Sequence, residues 1–244
     1  MEADSPASGE THTSLRDDAL AVGWWVLVGA GAGAIAGFVV GGLGGRLAML
    51  LLRLTSPESV IGLVSDDGFV IGDVTTSTFG LAFGMAVLGA ANGVLYAAVR
   101  TAIPLRLRLP LWVSFAALVG GASFVHEDGV DFTLLEPAAL AIALFVALPG
   151  IAAAVVVLLV ERWSVATPWG DRRLTALLIV AALASTYALI LAVAVMFVAL
   201  VVRSAPGVAD SLRRAGRVLV PVGLVVVSVV AGIQLVRESC RILD

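Results

Sequence analysis

Six long apolar runs follow one another along this sequence, at 21–43, 79–99, 109–125, 138–160, 174–202 and 218–236. About 20 residues of α-helix cross the hydrocarbon core of a bilayer. In lipid each backbone N–H and C=O must find its partner within the segment, which a helix provides. The runs therefore predict an all-α fold: a polytopic membrane helix bundle with six transmembrane helices. Pro149 and Pro221 fall inside or near the start of runs and are expected to kink their helices, which bundles tolerate. The first run is too long for a signal-peptide core and lacks a basic n-region, so it is expected to remain a span.

Composition agrees. Apolar residues make up 60% of the chain and charged residues 14%, against roughly half and a quarter in a soluble domain. Too little polar surface exists to face water, so the lipid bilayer is the expected surrounding partner. Residues 1–19 are polar, with almost nothing to bury, and are expected to form a disordered cytoplasmic tail. The rest, 20–244, forms one transmembrane domain with outer loops at 55–78 and 126–137.

Orientation follows from arginine, which concentrates in cytoplasmic loops. The 100–109 link carries Arg100, Arg106 and Arg108, and the 161–173 link carries Arg162, Arg172 and Arg173. Between them the 126–137 link has no basic residue and four acids. Both Arg-rich links are therefore placed inside and the acidic link outside, with both termini in the cytoplasm. Trp24, Trp25, Trp112, Trp163 and Trp169 fall at span ends on the inner side, where an indole ring meets the headgroups. One link disagrees: 203–217, placed outside by the count, carries Arg203, Arg213, Arg214 and Arg217. Pairing of these arginines with acids of the other outer loops, or a misassigned sixth span, would account for it.

The sharpest local pattern is in the first run. Gly29, Gly33, Gly37, Gly41 and Gly45 recur at every fourth position. On a helix this spacing forms a nearly straight groove, a glycine zipper, into which another backbone can pack closely. Gly80 with Gly84, and Gly89 with Gly93, repeat the spacing in the second run. Packing within the bundle is one use of these grooves; self-association, or a pore lined by the first helix, is another.

A second pattern lies in the outer loops, where Asp66, Asp67 and Asp73 follow the first run and His126, Glu127, Asp128, Asp131 and Glu136 follow the third. Both loops contain an acid-Asp-Gly-apolar string, consistent either with a duplicated hairpin or with turn chemistry, since Gly accepts the positive φ of a tight turn. Acids ahead of a helix also cap free N–H groups and complement the helix dipole. If the first helix continues past Gly45, Arg46 and Arg53 lie seven apart on nearly one face, at the outer boundary. An arginine at that depth needs a partner, and Asp66, Asp67, Asp128 and Asp131 are the candidates. The cluster is then either structural salt bridging or the mouth of a cavity for a small polar solute or cation.

Other chemistry is constrained by what the sequence contains. All 15 basic residues are Arg, so no lysine can form a Schiff base. The lone Cys240 cannot close an intramolecular disulfide, and His126 is the only histidine beyond His12 of the tail. No conventional zinc site or bis-histidine haem is expected, and no cofactor or metal is assigned. The loops lack the calcium-loop spacing. A pairing of His126 with Asp131 as an acid–base unit stands beside a plain hydrogen-bonding role for the histidine. No basic stripe with interleaved aromatics is present, so nucleic acid is not an expected partner. The middles of the runs contain no Asp, Glu or His, and no Arg apart from the Arg46 extension. Asn92, Tyr96, Ser123, Ser185, Thr186, Tyr187, Ser228 and Gln234 supply their polarity and are suited to hydrogen bonds between helices. Ion-coupled transport is disfavoured accordingly.

The strings Gly45-Arg46-Leu47-Ala48-Met49, Ser65-Asp66-Asp67-Gly68-Phe69 and Asp128 through Pro137 resemble those of an uncharacterised family of multipass membrane proteins from high-GC Gram-positive bacteria. The resemblance covers roughly residues 25–165. It implies a bacterial inner-membrane location and brings no activity, substrate or site with it. Three readings follow from the residues: a non-enzymatic membrane scaffold or complex subunit, homo-oligomeric or joined to another membrane subunit; a small-solute channel or transporter with its outer mouth near Arg46; and a membrane enzyme acting at the outer face.

Overall fold

A computed structural model of the chain describes residues 15–58, 62, 77–127, 129, 132, 135–165, 168–183, 194 and 206–243. Among them every regular element is a helix. α1 (Leu15–Ala36) passes into a π-helical stretch (Gly37–Gly44) and continues as α2 (Gly45–Thr55). α3 (Ser77–Val99) ends in a 3₁₀ turn (Arg100–Ala102). α4 (Leu105–Phe124), α5 (Ala138–Ser164), α6 (Arg172–Leu183) and α7 (Pro206–Leu243) complete the bundle.

Five of these helical stretches are long and apolar enough to cross a membrane: Ala19–Thr55, Phe79–Ala102, Leu105–Phe124, Ala138–Ser164 and Arg214–Leu243. The fifth expected run, 174–202, is described only over its first part, within α6. The first helix continues through Arg46 to Thr55 and begins at Leu15, inside the stretch assigned to the tail. Most of the 55–78 loop and of residues 1–19 lies outside the described residues, as do Ser185, Thr186 and Tyr187.

Glycine decides how the first two long helices meet. Gly29 and Gly93 face each other, as do Gly33 and Gly89, and Gly37 meets the backbone of Met85. A Cβ at Gly33 would overlap the Gly89 carbonyl, and one at Gly29 would stand 2.6 Å from the Gly93 oxygen. Only residues without side chains allow two backbones this close, and dispersion contacts then hold them. The order of the contacts makes α1 and α3 antiparallel. α4 and α5 form a second antiparallel pair: Gly120 leaves room for Pro149, and Gly150 lies on Ala117. α6 packs on α1 through Leu178 against Gly31.

α7 sets the one topological surprise. It touches the Arg100–Ala102 turn, Leu224 packs against the cluster around Trp112, Leu235 lies on Gly121, and Arg241 pairs with Glu127 at 3.0 Å. α7 therefore runs parallel to α4, from the Arg-rich end of the bundle to the acidic link. Trp24 and Trp25 of α1 lie at the Arg-rich end, beside Trp169 and Arg100. The start of the first helix and the end of α7 thus lie at opposite ends of the bundle, while residues 1–14 and most of 184–205, on which the expected sidedness of the termini also depends, lie outside the described residues. Along the α4–α7 seam Gly121 lies on Leu235 and Gly232 on Leu118. The same geometry turns Arg214 and Arg217 toward the Arg-rich end, where the other links are also rich in arginine.

Candidate functional site

The close contact of α1 and α3 does not persist along their length. Past Gly37 the helix widens into the π-helical stretch, Gly41 meets the side chain of Met85, and a Cβ at Gly45 would touch nothing within 4 Å. The five-glycine groove therefore changes use along its length: its first three members join backbones, Gly41 lies on the Met85 side chain, and Gly45 borders open space. π-helical insertions are rare and gather at functional sites.

That open space is a cavity of about 280 Å³ between the α1–α3 and α4–α5 pairs. The first helix lines it from Ala36 to Leu52. Leu81, Met85, Leu88 and Asn92 of α3, Phe115, Val119 and Phe124 of α4, and Phe145, Pro149 and Val156 of α5 contribute the other walls. Its inner end abuts the buried cluster of Trp112, Tyr96 and Val156, and its outer end reaches Leu52 in the cluster of Phe132 and Leu235. Asn92 is the one polar side chain among the lining residues. The indole Nε1–H of Trp112 donates to Asn92 Oδ1 at 3.1 Å.

Behind Trp112 the Arg-rich end is held by ions. The Glu161 carboxylate accepts from Arg100 at 3.3 Å, from Arg108 at 3.1 Å and from the Tyr96 hydroxyl at 2.8 Å. The Arg100 guanidinium lies 3.9 Å above the ring centre of Trp25, a cation–π contact. Glu161 belongs to α5, Arg100 to the turn after α3 and Arg108 to α4, so one carboxylate joins three elements. The Arg100 and Arg108 side chains are 12% and 18% exposed, and their charges are thus largely withdrawn from water and matched locally. This ion cluster connects the 100–109 link to the start of the 161–173 link at one end of the bundle.

Glu161 carries no signal in the sequence, where the arginines around it bear on orientation and nothing pairs them with an acid. Two of the five tryptophans also differ from the interfacial reading. Trp24 and Trp112 are fully buried in the bundle core, Trp112 with its N–H spent on Asn92, while Trp25 lies beneath Arg100 and Trp169 stays exposed with its edge toward Trp24.

The residues expected to form an outer charged cluster are only partly described. Asp66, Asp67, Asp73, Asp128 and Asp131 lie outside the described residues, so their pairing with Arg46 and Arg53, and that of His126 with Asp131, lie outside them too. Arg46 and Arg53 occupy α2 as expected. Glu127 turns to the C-terminal helix: its carboxylate pairs with Arg241 and its N–H donates to Glu238. His126 Nε2 lies 3.1 Å from the Ser123 carbonyl. Glu136 fastens the link to α2 through its backbone: the Ser56 hydroxyl accepts its N–H at 2.8 Å, and Thr55 Oγ1 lies 2.6 Å from its carbonyl oxygen. Cys240 is free and exposed on the last turns of α7.

Fold and site together define a class: among the described residues, an all-helical protein with several helices able to span a membrane, compatible with an integral multi-pass protein, with an apolar cavity between its helix pairs. Comparison with protein-family models, curated proteins and solved structures finds no match.

Proposed function

We propose that this chain is an inner-membrane protein of bacteria that serves as a non-catalytic subunit of a homo-oligomeric membrane assembly. The observation that carries this reading is the outer face of α3. Gly80 and Gly84 repeat the spacing of Gly89 and Gly93, yet a Cβ at either would meet nothing within 4 Å. Phe79, Phe83 and Leu88 beside them are exposed. The chain uses this spacing internally to bring two helices into backbone contact, and a second copy of the motif faces outward on the same helix. Small residues at four-residue spacing favour helix association in lipid. The cavity supports a binding role over conduction of a polar solute, because its wall is apolar except at Asn92.

The test is disulfide trapping in native membranes. Cysteine is placed at Gly84, or at the exposed Leu158 of α5 as a control, in a Cys240→Ser background. The proposal expects a covalent dimer from Gly84→Cys and little from Leu158→Cys, with a multimer seen by light scattering of the parent protein. A monomer in mild detergent with no preference for position 84 would overturn it.

A further inference from the structure

The cavity has a chemistry of its own, independent of the subunit reading. Indole N–H is a donor only, so its bond to Asn92 fixes the amide with Oδ1 toward Trp112. Asn92 also lines the cavity, and with Oδ1 spent on Trp112 the donors that its amide can offer there are the two on Nδ2. A buried polar group in apolar surroundings is costly unless it finds a partner. The space beside it is long and narrow. From Ala36 to Leu52 the first helix covers at most roughly 24 Å at the rise of an α-helix, and the volume is about 280 Å³. Leu88 and Phe124 line the cavity and are also exposed. α3 packs chiefly on α1, and α4 on α5, so the cavity opens sideways between the two pairs, where lipid would lie.

We propose that this cavity binds a membrane-soluble molecule with a single long apolar chain and a carbonyl-type oxygen, the oxygen accepting from Asn92 Nδ2 and the chain lying along the Gly41–Gly45 stretch toward Leu52. Apolar walls supply affinity in proportion to the area covered, and the lone amide supplies selection, since a ligand without an acceptor leaves the donors unmet. Two sources share this chemistry, acyl esters and prenylated quinones.

The full-length protein in nanodiscs is labelled with a photoreactive methyl palmitate, and the adducts are mapped by peptide mass spectrometry. Methyl palmitate, a prenylated benzoquinone and hexadecane compete for the site. Adducts are expected on α3 and α4 beside Asn92. Hexadecane should compete about tenfold more weakly than the better carbonyl ligand, the value of one hydrogen bond in an apolar setting. Stronger competition by the ester identifies an acyl source, and by the quinone an isoprenoid one. Gly45→Leu fills open space and should abolish labelling without lowering the unfolding temperature; Asn92→Leu should erase the preference for a carbonyl. Labelling that survives Gly45→Leu, or hexadecane competing as well as both carbonyl ligands, would overturn the assignment.

Discussion

The Tyr96 hydroxyl donates to the Glu161 carboxylate across 2.8 Å, joining α3 to α5 where the two Arg-rich links converge. The same carboxylate receives Arg100 and Arg108, so its charge holds three elements at once. Glu161→Gln keeps the shape and removes the charge, leaving two mostly buried guanidinium groups without their counter-ion. Breaking one side of a buried pair costs about 3–5 kcal/mol; partial exposure lowers this to roughly 2 kcal/mol, since water screens such pairs. Tyr96→Phe should cost about 1.5–2 kcal/mol, one hydrogen bond to a charged carboxylate. Thermal unfolding in detergent checks both, and equal melting of Glu161→Gln and the parent would show that the cluster does not hold the bundle.

The two halves of the glycine groove should respond oppositely to a methyl group. Gly33→Ala drives a Cβ into the Gly89 carbonyl, so α1 and α3 must separate, at a cost of about 1–3 kcal/mol. Gly45→Ala enters open space and replaces a poor helix former, for a gain of up to about 1 kcal/mol. Denaturation of the two variants side by side gives the comparison; similar losses for both would mean that the helices do not splay at the π-helical stretch.

Parallel packing of α7 on α4 gives a prediction for sidedness. Cys240, free and exposed near Arg241, should react with a membrane-impermeant maleimide from the same side as Glu127→Cys made in a Cys240→Ser background. Arg106→Cys in that background should react from the opposite side. Labelling of Cys240 and Arg106→Cys from one side would contradict the direction of α7. Removing the Arg241 charge alone should change stability by less than about 1 kcal/mol, because that pair is exposed.

The contact between α2 and the acidic link should appear in amide exchange. Ser56→Ala removes the acceptor of the Glu136 N–H, and Thr55→Val removes the hydroxyl beside its carbonyl. The double variant should lose about 1–2 kcal/mol at most, and the Glu136 amide should exchange markedly faster than in the parent. Unchanged protection at Glu136 would count against this tether.

Much of the helical framework is legible in the sequence. Apolar length marks the helices, and the continuation of the first helix past Gly45, which the sequence leaves open, runs in the structure to Thr55. The four-residue glycine spacing points to a close helix partner, and Gly89 and Gly93 of α3 supply it. The candidate site is far less legible. In sequence Asn92 is one of several polar residues in the apolar runs, and nothing about its neighbours there shows that Trp112, on another helix, takes its oxygen. Glu161 stands in the sequence as one acid near several arginines, and its partners Arg100 and Arg108 lie 61 and 53 residues away.

The sequence by itself determined what depends on a single segment: helices, because apolar runs of membrane length must satisfy their own backbones, and a groove, because glycine at every fourth position leaves one face bare. The tertiary structure alone decided which end α7 runs toward, which acid gathers the arginines, and where the groove stops joining helices and begins to border a cavity. Each of these is a relation between segments far apart in the chain, set by side-chain volumes meeting across helices.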